Sequence, residues 1–93
     1  MRFVETPLPG LVVIETDPFR DDRGSFGRLF CEREFGDRGL PTSFAQHSLS
    51  VTPRRGTVRG LHFQRPPHAE TKLVRSIHGT ILDVVVDLRA DSP

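Results

Sequence analysis

The chain is 93 residues long with a formal net charge of +1, enough for one thin-cored domain and too short for two. Hydrophobic residues make up 35% and charged residues 27%, and neither this balance nor the short Pro53-Arg54-Arg55 run supports nucleic-acid binding by bulk charge. Cys31 is the single cysteine, which excludes an intrachain disulfide framework. With no apolar signal core in MRFVETPLPG and no membrane-spanning apolar run, the expectation is a soluble cytoplasmic protein.

All seven aromatic residues are Phe, with no Tyr and no Trp. A phenolic proton donor is therefore not available from this chain.

The pattern is mostly β. LVVIE (11–15) follows the turn pair Pro9-Gly10 and reads as a short strand. Asp21-Asp22-Arg23-Gly24 reads as a turn, and SFGRLFC after it as a strand with Phe26 and Phe30 on one face. EREFGDRG (32–39) predicts about two helical turns closed by a glycine. SFAQHSLSVT (43–52) alternates, with Phe44, Gln46, Ser48 and Ser50 on one side. PRRG makes a turn and TVRGLHFQ (57–64) a further strand. KLVRSIHGTILDVVVDLR (72–89) is the clearest unit. It turns at His78-Gly79 and carries Leu82, Val84, Val86 and Leu88 on one apolar face, opposite Asp83 and Asp87. Short strands at regular spacing predict an all-β sandwich or barrel in one domain, 1–93.

Chemistry concentrates in TVRGLHFQRPPHAETKLV (57–74). Arg59 and His62 are three apart, so a regular pleat puts them on opposite faces, and Gly60 permits a bulge that re-aims them. His62 lies between Leu61 and Phe63, and imidazole suits a base working near neutral pH. The local pattern alone favours a hydrogen-bonded core histidine. Lys72 reads equally as a cation that stabilises a phosphate or enolate and as an edge-strand charge. Arg23 reads as a solvated turn residue. His62, His68 and Glu70 are the residues a metal would need, but no His-x-His pair exists and Pro66-Pro67 puts His68 in a loop. His47 and His78 read as structural or surface residues, and Cys31 as a packing residue.

Taken together, FVETPLPGLVVIE, DDRGSF, FAQHSLSV, RGLHFQRPP and KLVRSIHGTILDVVVDLRADSP resemble the dTDP-4-dehydrorhamnose 3,5-epimerases of the cupin superfamily. The resemblance covers essentially the whole chain, in order. It implies a cupin-type jelly-roll, of which 1–93 matches the amino-terminal half. It also implies cofactor-independent epimerisation of a nucleotide-linked 4-keto-6-deoxyhexose at C3, C5 or both. By position His62 matches the proton acceptor, Lys72 the lysine facing the enolate oxygen, and Arg23 and Arg59 substrate-binding arginines. Gln46 matches the central-strand glutamine, and Ser48 stands where the family has asparagine, again on the substrate side. Ser25 and Arg28 depart from the family's aromatic and glutamate. The resemblance further implies a homodimer with exchanged amino-terminal strands, no metal and no cofactor. The family's proton-donating tyrosine and the aspartate that partners the histidine belong to the other half of the barrel. Two alternatives stand beside this reading: a metal-binding cupin built on His62, His68 and Glu70, and a binding or assembly module without catalysis.

Overall fold

The computed structural model describes residues 1–92. Its regular structure is all-β apart from one short helix. Strands β1 (Arg2–Glu5) and β2 (Val12–Glu15) form one antiparallel pair, β3 (Phe19–Asp21) and β4 (Gly24–Phe26) a second, and helix α1 (Glu32–Asp37) follows.

The β1–β2 connection shows why Pro9-Gly10 is a turn. The Leu11 N–H donates to the Leu8 carbonyl at 3.0 Å, with Pro9 and Gly10 between them and Gly10 at φ +88°. This is a type II turn, whose third position needs the positive φ that glycine adopts without strain. Thr6 Oγ1 donates to the Leu11 carbonyl at 2.8 Å and accepts the Leu8 N–H at 3.2 Å, closing the loop from inside. The register then sets Phe3 opposite Ile14 and Arg2 opposite Glu15. Arg2 Nε donates to Glu15 at 2.7 Å, a cross-strand ion pair.

Helix α1 runs as expected and stops for a legible reason. Gly39 N–H donates to Gly36 O and Leu40 N–H to Phe35 O, both at 3.0 Å, with Gly39 at φ +68°. That is a Schellman cap, and the glycine sits at its left-handed position. Cys31 is the N-cap residue but makes no side-chain cap bond. Glu34 accepts from Arg28 at 3.2 Å, and this bond holds its carboxyl below the usual value.

The core is small and aromatic. Phe35 is the one fully buried side chain among the described residues. Phe30 and Phe3 meet it edge-on at centroid distances of 4.7 and 5.7 Å, and Phe44 extends the stack through Phe30 at 5.8 Å. Each such pair contributes ~0.5–1.5 kcal/mol beyond its buried area. Arg38 lies over the outer face of Phe3 at 5.3 Å. This corrects the reading of SFGRLFC as one strand: β4 ends at Phe26, which is exposed, and Phe30, partly exposed, packs its ring on Phe35 of the helix.

From Ser43 onward the turns stand where the sequence puts them, and the strands do not. Thr57 Oγ1 closes the PRRG turn on Arg54 O at 2.8 Å. His68 N–H closes the Pro66-Pro67 turn on Arg65 O at 2.8 Å. Ser76 Oγ bridges to Gly79 O at 3.1 Å. Between these turns, 43–52, 57–64 and 72–89 form no ladder among the described residues. A strand exists only when its N–H and C=O groups meet a neighbour, and these segments find none among the described residues. The consequence is measurable. The radius of gyration is 15.6 Å, against about 12 Å for a compact domain of this length. The accessible surface is 8960 Å², against about 5,400 Å² for a folded monomer of this mass. Leu82, Val84, Val86 and Leu88, the predicted apolar face, are all exposed.

Candidate functional site

Arg23 sits in the β3–β4 hairpin. Its backbone N–H donates to Asp21 Oδ1 at 2.9 Å, and its Nη2 donates to Oδ2 at 2.6 Å. The aspartate thus caps its own turn and fixes the guanidinium over it. Those bonds from Arg23 hold the Asp21 carboxyl below the ordinary value. Phe19 and Phe26 face each other across the hairpin. With Arg23, Asp21, Gly24 and Ser25 they line an open hollow of about 250 Å³. Two exposed rings beside a cation present apolar faces and charge together.

His62 is placed by glycine. Gly60 adopts φ +86°, and a Cβ built on it would stand 3.2 Å from His62 Cδ2 and 3.3 Å from His62 N. The imidazole edge therefore packs over the glycine backbone in space that no other residue leaves open. Arg59, on the far side of Gly60, donates from Nη2 to Thr52 Oγ1 at 3.2 Å, which links the two segments either side of the PRRG turn.

Lys72 is paired. Its Nζ lies 3.2 Å from Glu70 Oε1, and both side chains are about half exposed. Residues i and i+2 of an extended chain point to the same side, which brings these two together. The Gln64 amide faces two acceptors, the same Glu70 oxygen and the His68 carbonyl, so its nitrogen is assigned to that side, where it can donate to each at 3.0 Å. Gln64, Glu70 and Lys72 thus bracket the Pro66-Pro67 loop.

Gln46 and Ser48 lie exposed in 43–52. Among the described residues, no hydrogen bond or ion pair joins any two of Arg23, Gln46, Ser48, Arg59, His62 and Lys72. Nor do three His, Cys, Asp or Glu side chains converge as metal ligands there, so His62, His68 and Glu70 form no such group. Sequence reasoning missed the partners: Asp21 for Arg23, Thr52 for Arg59, Glu70 and Gln64 for Lys72. The i, i+2 spacing of Asp21 with Arg23 and of Glu70 with Lys72 was the available signal.

The family profile described as dTDP-4-dehydrorhamnose 3,5-epimerase matches residues 5–93, a span that includes every residue above. The chain belongs to this family. A dTDP-4-dehydrorhamnose 3,5-epimerase of Methanothermobacter thermautotrophicus is 46% identical over 91 residues, covering 98% of this chain and 48% of the relative. The Escherichia coli protein of the same name is 40% identical over 93 residues, covering 99% of this chain and 50% of the relative. A dTDP-4-dehydrorhamnose 3-epimerase of Streptomyces niveus is 38% identical over 94 residues, covering 100% of this chain and 45% of the relative. The chain spans about half the length of these curated relatives. No solved structure matches it. No helix among the described residues is long and apolar enough to cross a membrane.

Proposed function

We propose that residues 1–93 form the base-bearing half of a cupin-type jelly-roll that epimerises a dTDP-4-keto-6-deoxyhexose at C3, C5 or both, in the cytoplasm and without a cofactor. The observation that carries this reading is the family match across residues 5–93, which spans His62 on its glycine and the Lys72 ammonium.

The chemistry follows from the substrate. A ketone at C4 acidifies the protons on its neighbouring carbons, because the electron pair left behind delocalises onto the carbonyl oxygen. His62 takes that proton as a general base. A carbon acid of this kind is far weaker than imidazolium, so the enolate must be stabilised by fixed positive charge. Lys72 supplies it at the oxygen. Arg23, Arg59, Gln46 and Ser48 bind the nucleotide sugar, with the Phe19–Phe26 hollow beside Arg23 offering a surface for the base and a cation for the diphosphate. Returning the proton to the opposite face of the carbon inverts it. That step needs an acid on the far side.

No tyrosine is present to serve as that acid, and the apolar face 82–88 is uncovered. Residues 1–93 by themselves are therefore expected to bind the nucleotide sugar weakly without useful turnover. In the assembled protein we propose a homodimer, with strands exchanged between copies supplying ladder partners that the chain alone does not provide.

The test is to incubate the intact gene product with dTDP-4-keto-6-deoxyglucose in deuterated water and follow the ring protons by NMR. Loss of the C3 or C5 proton signal, with inversion at that carbon, is expected. Persistence of both signals would overturn the reading. Exchange at one carbon alone would define a mono-epimerase.

A further inference from the structure

We propose that Glu70, itself held by Gln64, is a positioning residue for the Lys72 ammonium. The inference deepens the reading in which Lys72 stabilises the enolate, and rests on it.

A lysine side chain has four rotatable bonds and a point charge at its end, so without a partner its ammonium is spread over many positions. A stabilising cation works best when it is already where charge will develop. Here the Lys72 Nζ is 3.2 Å from Glu70 Oε1. A half-exposed pair of this kind is weak when both side chains are free to move. Glu70 is not free. With its nitrogen assigned to the side that faces two acceptors, the Gln64 amide donates to the same carboxylate oxygen and to the His68 carbonyl across the Pro66-Pro67 loop, each at 3.0 Å. Gln64 lies two residues beyond His62, so the chain of contacts runs from the segment carrying the base to the residue carrying the cation. One carboxylate thus links Gln64 to Lys72 across the loop. Ammonium has three donors, and one bond to Glu70 leaves two for the substrate oxygen.

Lys72 is the single lysine of the chain, which makes the test direct. In the 93-residue protein labelled with 13C-lysine, relaxation of the Lys72 ε-methylene is measured for wild type, Glu70→Gln, Glu70→Asp and Gln64→Ala. The expected result is greater ε-methylene mobility in Glu70→Gln and Gln64→Ala, with Glu70→Asp between these and wild type. Equal mobility in all four overturns the proposal. In the intact gene product, Glu70→Gln is expected to lower kcat for substrate proton exchange on the order of tenfold, less than deleting Lys72. KM should change by less than about twofold, and Glu70→Asp should recover part of the loss. If Lys72→Ala slows exchange and Glu70→Gln does not, Glu70 has no positioning role and the reading of Lys72 survives. If Lys72→Ala itself leaves exchange unchanged, the reading of Lys72 falls, and with it the catalytic meaning of the pair.

Discussion

Arg89 Nη2 donates to the carbonyl oxygen of Pro9 at 2.6 Å, across 80 residues of sequence. The same guanidinium grips Asp87, Nε to Oδ1 at 2.9 Å and Nη2 to Oδ2 at 2.6 Å, while Asp87 Oδ1 also accepts the Arg89 backbone N–H at 3.0 Å. The end of the 72–89 segment is thereby fastened to the β1–β2 turn. Without ladder bonds, this clamp is the hydrogen bond that joins the end of 72–89 to the first half of the chain.

The clamp has a defined pH dependence. The Arg89 side chain first, then its backbone N–H, hold the Asp87 carboxyl well below its ordinary value of 3.8. A depressed carboxylate stabilises the folded form above its unfolded pKa, and that contribution is lost as pH falls through the lower folded value. The clamp should therefore stay closed from neutral pH to below 3.8. In an NMR titration the Asp87 carboxyl carbon should show its midpoint below 3.8, and Arg89→Ala should return the midpoint toward it. A wild-type midpoint at 3.8 would mean that the guanidinium does not hold the carboxylate.

Phe35→Ala should dissolve the aromatic core. Its ring is the shared partner of Phe3 and Phe30, and truncating a buried Phe costs ~3–5 kcal/mol. That is a large part of what so small a core supplies. The expected readout is loss of the ring-shifted resonances of residues near β1 and α1, with cooperative unfolding reduced or absent. Retention of both would place the core elsewhere.

Gly60→Ala tests how His62 is placed. The new Cβ meets the imidazole edge at 3.2 Å, at φ +86° where L side chains are strained, costing about 1–2 kcal/mol. The substitution should displace the His62 ring, shift its Hδ2 and Hε1 resonances, and lower substrate proton exchange by about tenfold or more. Unchanged ring resonances would show that Gly60 has no part in orienting the base.

What the sequence made legible follows from the range of the interactions. Pro9-Gly10, PRRG, the Pro66-Pro67 loop and His78-Gly79 are local, set by φ preferences; the first three are turns in the structure and the last is a bend. The helix and its glycine cap are local too. Strands at 43–52, 57–64 and 72–89 need ladder partners distant in sequence, and none is met among the described residues, so their alternation predicts a face and not a ladder. Phe19–Asp21 was invisible because three residues carry no period. At the site, motif resemblance singled out His62 and Lys72. It was silent on Glu70 and Gln64, whose roles come from a loop that folds back on itself.

Self-association is expected from the exposed face. Leu82 is 91% exposed, and Val84, Val86 and Leu88 each exceed half, a continuous apolar strip that proteins in solution cover. Sedimentation velocity at micromolar concentration should show a dimer or larger species, and Val84→Glu with Val86→Glu should shift it toward monomer. A compact wild-type monomer would contradict the exchanged-strand dimer.

The role of His62 as the base is tested by deuterium incorporation into substrate with the His62→Asn variant of the intact gene product. Asparagine keeps a similar size and polar edge over Gly60 but cannot accept the proton. Because general-base catalysis contributes about 10²–10⁴-fold, exchange at C3 and C5 is expected to fall by at least about 10²-fold, with nucleotide-sugar binding retained. Exchange in His62→Asn at the wild-type rate would remove His62 from the mechanism.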